Sequence, residues 1–237
     1  MGLKLNRTKK KHFLLSFLYR INKLVPLNSK RKLKLLLDLE WIFYRLASEE
    51  SAKIFPYENH PSYLYSKKFL LKKITKDYAV LEIGCASGGI SNYIANKAKK
   101  VIGIDYDDKR ISQAKRLYKK SNLEFVNGEA SKYLKNNNEN FDVLILSHIL
   151  EHLDNPKDFI LKFKGFFKFI YIEIPDFDKT FLNQYRLKVS NELIYSDSDH
   201  VNEFDREEIK KLVADAGLKI LNEEFRFGLQ KFWCLVE

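Results

Sequence analysis

The stretch LEIGCASGG, residues 81–89, begins as an apolar run and ends in closely spaced glycines. The apolar pattern predicts a short buried strand over residues 78–83 and a helix over residues 89–98. Gly84 and Gly88 permit a tight turn and let a ligand approach the backbone closely. The first amide groups of the following helix have no partner within it and can bind that ligand. The stretch therefore predicts a strand, a ligand-binding turn and a helix.

The same alternation of strands and helices continues to the C-terminus. Alternation of this kind is typical of an α/β fold, in which helices cover both faces of a mostly parallel sheet. Ligands bind such sheets at the carboxyl ends of the strands. Seven strands are predicted in all, the other six at residues 101–105, 123–126, 141–146, 169–174, 218–225 and 230–236.

The charge of the chain is concentrated at its N-terminus. Residues 1–37 contain eleven Lys and Arg and no Asp or Glu, whereas the remaining 200 residues carry 31 of each sign. The formal charge of +11 therefore describes a basic arm on a neutral domain. We predict a basic helical extension over residues 1–58 and an α/β domain over residues 59–237. A long polar and aromatic connection at about 176–203 is expected to form a substrate lid.

The basic arm contains an apolar segment, HFLLSFLY, at residues 12–19. It is too short to cross a bilayer, and no small-residue cleavage site follows it. Asn6 stands where an N-myristoylation signal needs Ser or Thr. The arm could therefore lie on an anionic membrane, bind an anionic substrate or partner, or pack on the domain. Two distant cysteines fit no metal spacing, so we expect a cytoplasmic protein, peripheral to the inner face of the membrane if the arm binds lipid.

The residues after the first three predicted strands resemble those of a known enzyme family. Glu82, Gly84 and Gly88 resemble the glycine-rich first motif of class I S-adenosylmethionine (SAM)-dependent methyltransferases. Asp105 is similar to the ribose-binding acid of that family, and Glu129 with the following alanine is similar to its adenine-side Asp-Ala pair. Residues 147–153, SHILEHL, resemble the segment after strand four in the small-molecule (type 11/23-like) branch.

The resemblance extends from about residue 76 to the C-terminus. It implies a Rossmann-like fold with SAM as the cofactor and S-adenosylhomocysteine as the product. Two positions depart from the family pattern, since Ala86 replaces a usual glycine and Glu129 replaces the commoner Asp. The cofactor-binding residues that we predict are Glu82, Gly84, Cys85, Ala86, Gly88, Asp105, Tyr106, Glu129, Ala130, Ser147 and His148.

A nicotinamide dinucleotide is the competing cofactor, because it uses a similar strand, turn and helix. Its fingerprint needs glycine at the first, third and sixth positions, and Ala86 occupies the third. The carboxylate of Glu82 would repel a pyrophosphate but attract the sulfonium and ammonium groups of SAM. The sequence therefore favours SAM.

Transfer of a methyl group to a hydroxyl requires a base or a metal ion near the acceptor. His200 is the predicted base, because the branch carries a similar His-x-x-x-Phe segment facing the acceptor. The alternative is a histidine that bonds a backbone carbonyl to hold its loop. The residues predicted to contact the acceptor are His152, Glu173, Asp176 and Tyr195.

His148, Glu151 and His152 form an H-x-x-E-H pattern, which on a helix could hold a metal ion. The pattern follows a buried strand at the place where the methyltransferase family has it, and no downstream carboxylate ligand is evident. We therefore expect no metal, with Ser147 and His148 lining the methionine end of the cofactor.

These features predict a methyltransferase for a small molecule, with O-methylation of a sugar, glycan or glycolipid precursor, as in polysaccharide biosynthesis, as the leading hypothesis. A lipid quinone explains the basic arm equally well. Nucleic acid is a weaker hypothesis, because the domain is neutral and no Asn/Asp-Pro-Pro-aromatic motif follows strand four. A protein that binds SAM without catalysis is the alternative outside the enzymes. The sequence leaves the oligomeric state open.

Overall fold

A computed structural model describes residues 13–55, 60–137, 139–190, 197 and 199–237. Its centre is one seven-stranded sheet in the order β3-β2-β1-β4-β5-β7-β6. All neighbouring strands are parallel except that β7 runs antiparallel to β5 and β6. The strands are β1 Ala79–Ile83, β2 Lys100–Asp105, β3 Leu123–Asn127, β4 Val143–Ser147, β5 Phe169–Pro175, β6 Leu218–Arg226 and β7 Leu229–Val236. The predicted α/β, Rossmann-like fold with seven strands is confirmed.

Helices precede the sheet and connect most of its strands. They are α1 Phe13–Leu24, α2 Ser29–Ile54, α3 Pro61–Lys73, α4 Gly89–Ile94, α5 Asp108–Leu117, α6 Ala130–Asn136, α7 Pro156–Lys164, α8 Leu182–Lys188 and α9 Arg206–Asp215. Their ends follow local chemistry. Asp205 caps the first turn of α9 and forms a capping box with Glu208. Gly217 adopts the positive φ of 71° expected after the end of that helix.

Alternate residues of each strand supply the two faces of the core. On β1, Leu81 faces one hydrophobic cluster and Val80 the other. The first cluster includes Ile160 of α7 and Ile209 of α9, and the second includes Leu70 of α3. Because both faces are covered, the carboxyl edge of the parallel strands is where polar side chains gather.

The second N-terminal helix packs on the segment that follows β5. The buried guanidinium of Arg186 in α8 donates to the carbonyl of Leu37, 3.1 Å away, and to the carboxylate of Glu40. Arg45 pairs with Asp197 at 3.3 Å. The predicted boundary near residue 58 falls among residues 56–59, outside the described residues. Helix α2 is therefore in contact with the domain, whereas α1 has no buried residue.

Candidate cofactor and acceptor site

The turn between β1 and α4 has the backbone that its glycines predict. Gly84 and Gly88 have φ of 70° and 80°, a conformation that side chains rarely adopt. A Cβ at Gly84 would collide with the side chain of Ile149, and one at Gly88 with that of Phe125. Ala86 also has a positive φ, 48°, which explains why glycine is usual at this position and stores strain of about 1–3 kcal/mol.

Asp105, at the end of β2, joins the turn to the next loop. Its two carboxylate oxygens accept hydrogen bonds from the backbone amides of Ala86, at 2.8 Å, and Asp107, at 2.9 Å. Asp105 is only 8% exposed. The carboxylate is thereby fixed at the carboxyl edge of the sheet, as a group that binds two ribose hydroxyls requires.

Glu82 lies beneath the same turn and is almost completely buried. Its carboxyl group accepts a hydrogen bond from Ser91 of α4. The pKa of Glu82 is raised to about 8, chiefly by burial and to a smaller extent by the nearby charges of Glu173 and Asp105, although the Ser91 bonds oppose the shift. From the sequence alone, Glu82 is expected to carry a fixed negative charge. The raised pKa means instead that the neutral form predominates at neutral pH until a cation is bound.

Cofactor binding should therefore release a proton from Glu82. A cation stabilises the carboxylate, so SAM affinity should rise with pH by at most about tenfold per unit and level off above pH 8. Calorimetry at pH 7 in buffers of different ionisation enthalpy should detect release of up to about one proton. Glu82→Gln should abolish the release, and an unchanged release in that variant would refute the assignment.

The raised pKa of Glu82 also makes the free energy of unfolding depend on pH. In the unfolded chain Glu82 ionises above its ordinary value of 4.5, whereas in the folded protein it stays protonated up to about pH 8. The unfolded state therefore binds fewer protons between these values, and the contribution of Glu82 makes the free energy of unfolding fall as pH rises from 4.5 to 8.

The loop after β3 provides the predicted adenine side. A Cβ on Gly128 would meet no atom within 4 Å, so the space beside this loop is open. Ala130 is buried, whereas Glu129 is half-exposed and contacts Ser131 and, at 3.4 Å, Lys162. Tyr106 is 89% exposed. Their contacts with a cofactor stay predictions.

A polar cluster follows β4. The hydroxyl of Ser147 donates to Glu173 Oε1 at 2.9 Å, and the hydroxyl of Tyr171 donates to Glu173 Oε2 at 2.6 Å. Glu173 is fully buried. Both oxygens of Glu173 thus hold neighbouring side chains, and its predicted contact with an acceptor stays a prediction.

His148 combines a positive φ of 55° with two carboxylate neighbours. Its Nδ1 lies 2.9 Å from Glu151 Oε1, and its Nε2 lies 3.7 Å from Glu173 Oε1. Burial disfavours the charged imidazolium, but the hydrogen bond to Glu151 and the charges of both carboxylates outweigh it, so the pKa of His148 is raised.

His200, the predicted base, lies against His152. Their ring centroids are 4.8 Å apart at 79°. His200 Nδ1 is 3.4 Å from Glu203 Oε1. Burial lowers the pKa of His200, but the Glu203 hydrogen bond and the charges of Glu151, Glu203 and Asp197 raise it more, so the net shift is upward. The structure thus places His152 and His200 together.

A cavity of about 260 Å³ opens between α2 and the segment after β5, and Glu203, the neighbour of His200, is part of its lining. Trp41, Tyr44 and Arg45 line it from α2, and Asp176 and Glu203 from the domain. The α2 residues are not among the predicted acceptor residues, because nothing in their helical pattern shows that α2 packs here.

Asp176 lines that cavity with a carboxylate that is already paired. Arg206 donates to it through Nε at 3.2 Å and Nη2 at 2.7 Å. Tyr195, the other predicted acceptor residue of the lid, lies outside the described residues. The described part of the segment predicted as a lid contains helix α8, for which there is no prediction from the sequence.

Three further residues that shape the cofactor side were not predicted. Ser91 bonds Glu82, and Asn127 Nδ2 donates to the carbonyl of Tyr106 at 3.0 Å. At Gly103 in β2 a Cβ would lie 2.9 Å from the sulfur of Cys85, so only glycine fits. For Gly103, the signal in the sequence is a glycine inside a predicted buried strand.

These residues fit SAM. The carboxylate of Asp105 suits the ribose of SAM, and its charge disfavours a diphosphate. The carboxyl group of Glu82, which ionises when a cation binds, suits the cationic part of SAM. Fold and site together define a class I SAM-dependent methyltransferase. The comparison with protein families agrees, since residues 49–223 match the model of a methyltransferase domain. The chain belongs to this family of methyltransferases, and the cofactor of the class is SAM.

Curated relatives match parts of the chain. A Methanobrevibacter smithii protein named as a cobalt-precorrin-6B C(15)-methyltransferase (decarboxylating) is 36% identical over 102 residues, covering 37% of this chain and 54% of its own. A ubiquinone biosynthesis O-methyltransferase of Pelagibacter ubique is 34% identical over 90 residues, covering 38% and 37%. The chain thus spans about half or less of the length of these relatives.

Solved structures share the fold. Magnesium protoporphyrin IX methyltransferase of Synechocystis, with bound S-adenosylhomocysteine, superposes with a TM-score of 0.55 at 16% identity, covering 73% of this chain and 81% of its own. A SAM-dependent methyltransferase of Clostridium acetobutylicum gives 0.56 at 14% identity, covering 80% and 99%.

Proposed function

We propose that this methyltransferase transfers the methyl group of SAM to a hydroxyl of a small-molecule acceptor, with a sugar, glycan or glycolipid precursor as the leading class. The cofactor supplies the methyl group as an activated sulfonium. The protein has to orient the acceptor, exclude water and assist removal of the hydroxyl proton.

The cavity between α2 and the segment after β5 is the observation that carries this proposal. Its aromatic groups, Trp41 and Tyr44, suit contact with a ring. The carboxylates of Glu40 and Glu203 pair with Arg186 and His200, and a carboxylate that accepts one hydrogen bond can accept another from a hydroxyl. Such a mixture suits a hydroxylated ring better than a wholly apolar molecule. Since Glu203 also lies near His200, an acceptor in this cavity would be close to the group that we propose to activate its hydroxyl.

The test is formation of S-adenosylhomocysteine by the full chain with a panel of acceptors. The panel should contain nucleotide-linked sugars, glycolipid precursors, a hydroxylated quinone and a structured RNA. Product with a sugar-containing acceptor supports the leading class. Product with the quinone or RNA alone would refute that class, and no product across the panel would favour a non-catalytic SAM-binding module.

A lipid-linked acceptor, a quinone included, is the second candidate, and helix α1 favours it. Several apolar side chains of α1 are at least half exposed, namely Phe13, Leu14, Phe17, Leu18 and Leu24. They occupy one broad side of the helix, whereas Ser16, Arg20 and Lys23 repeat at helical spacing on the other. In the part of the chain that the structure describes, no helix has the length and apolar character of a membrane span.

We therefore propose that α1 lies on an anionic membrane surface, with its apolar side among the lipids and the basic residues of the arm near the headgroups. Each basic residue near such a surface contributes about 1 kcal/mol. The membrane is preferred over a purely anionic partner because the arm combines an exposed apolar side with positive charge.

Phe17→Glu should release the protein from vesicles of mixed anionic and zwitterionic lipid, with a loss of binding of about tenfold or more in co-sedimentation, because it puts a carboxylate on the apolar side. Ser16→Glu adds the same charge to the neighbouring position on the polar side and should have a much smaller effect. Equal losses in the two variants, or no binding by the parent chain, would contradict membrane docking through α1.

A further inference from the structure

Three metal-ligating side chains meet at the carboxyl end of β4. The ligand atoms of Glu151, His152 and His200 all lie within 4.8 Å of one another. Glu151 and His152 belong to a 3₁₀ helix directly after β4, and His200 comes from the loop before α9. The loop is fixed there, because the carbonyl of Glu151 accepts hydrogen bonds from the amides of Val201 and Asn202 at 2.9 and 3.0 Å.

One carboxylate oxygen of this cluster lacks a partner. Glu151 is 1% exposed, and its Oε1 is engaged by His148 Nδ1 at 2.9 Å. Its Oε2 is buried and has no hydrogen-bond partner among the described residues. Leaving a buried acceptor unsatisfied is costly. A bound cation would satisfy this oxygen.

The two imidazoles have the surroundings that metal-bound histidines usually have. His152 Nδ1 lies 3.2 Å from the carbonyl oxygen of Asp199, and His200 Nδ1 lies 3.4 Å from Glu203 Oε1. Histidines that bind a metal through one ring nitrogen almost always engage the other with a carbonyl or carboxylate, which orients the ring.

We propose that Glu151, His152 and His200 bind one divalent transition-metal ion. A set of two imidazoles and one carboxylate favours Zn²⁺. The exposed His152 leaves one side of the cluster open to a further ligand. The expectation of no metal depended on the missing downstream carboxylate, and here a histidine from another loop completes the set instead.

An ion at this position would lower the pKa of a bound hydroxyl. His200 would then assist the acceptor as a metal ligand rather than as a free base. This role depends on the proposed function, whereas binding of the ion does not, so metal uptake without methyl transfer would separate the two.

The full chain, freed of metal by a chelator, should bind about one equivalent of ZnCl₂ in calorimetry, and CoCl₂ should give the visible absorption of a low-coordinate Co²⁺ site. Glu151→Gln, His152→Gln and His200→Gln should each weaken Zn²⁺ binding at least about 100-fold. Glu203→Gln, which removes an outer partner, should weaken it about 10–100-fold. His60→Gln is the matched control and should bind as the parent does, because His60 contacts Ser62 and lies in another part of the chain.

Binding of S-adenosylhomocysteine checks that each variant is folded. His152 is one-third exposed, so its variant keeps the test valid if the buried Glu151 variant does not fold. Absence of stoichiometric Zn²⁺ uptake by the parent chain would overturn the proposal. Parent-like uptake by both His152→Gln and His200→Gln would overturn it as well.

Discussion

Asp105→Ala should weaken binding of S-adenosylhomocysteine about 100-fold or more in calorimetry. Hydrogen bonds to a charged group contribute about 1.5–3 kcal/mol each, and the carboxylate is proposed to bind both ribose hydroxyls. The substitution also frees the amides of Ala86 and Asp107, which Asp105 now holds. Both effects act on the cofactor side of the site, so acceptor binding should change much less.

Two further variants make this prediction sharper. Asp108→Asn removes a nearby carboxylate that is exposed at the first turn of α5, and it should leave the affinity within about twofold because exposed charges interact weakly. Asp105→Asn keeps the size of the side chain but not its charge, and it should fall between Asp105→Ala and the parent. An Asp105→Ala protein that is folded and binds with parent affinity would rule out the ribose assignment.

His200→Gln should lower the turnover number about 100- to 10,000-fold while the affinity for S-adenosylhomocysteine stays within about threefold. Positioned groups that assist proton removal contribute on this scale. The side chain of His200 is 6% exposed and packs on His152 and Glu203, neither of which we assign to the cofactor. Loss of hydroxyl activation should therefore appear in turnover and not in cofactor affinity.

The measurement is the rate of S-adenosylhomocysteine formation at saturating SAM, with the best acceptor of the panel. His60→Gln is again the control and should retain parent turnover. Parent turnover in a folded His200→Gln protein would remove His200 from the mechanism, both as a base and as a metal ligand.

The strands of the sheet could be predicted well, because their positions along the chain follow from local patterns. Each parallel strand is a short apolar run, and the end of β1 is marked by Gly84 and Gly88. Asp105 could be located for the same reason, since it is the residue on which β2 ends. Apolar patterns that repeat along the chain, and residues at which a strand ends, can be recognised in the sequence without a structure.

Contacts between distant segments could not be predicted in this way. The pKa of Glu82 depends on burial under α4, and the cavity depends on where Trp41 of α2 comes to lie. The H-x-x-E-H pattern suggested a metal face on a regular helix, whereas the structure has only a three-residue 3₁₀ helix there. His200, which completes the proposed metal site with Glu151 and His152, comes from another loop. No spacing rule in the sequence connects it to Glu151.

The carboxyl groups at the ends of β1 and β2 are assigned here as the site for SAM. Calorimetric titration of the full chain with SAM, S-adenosylhomocysteine and NAD⁺ distinguishes this site from a dinucleotide site. We expect one-to-one binding of the first two and none of NAD⁺. Uptake of NAD⁺ by a protein that ignores both sulfur compounds would contradict the assignment of this site.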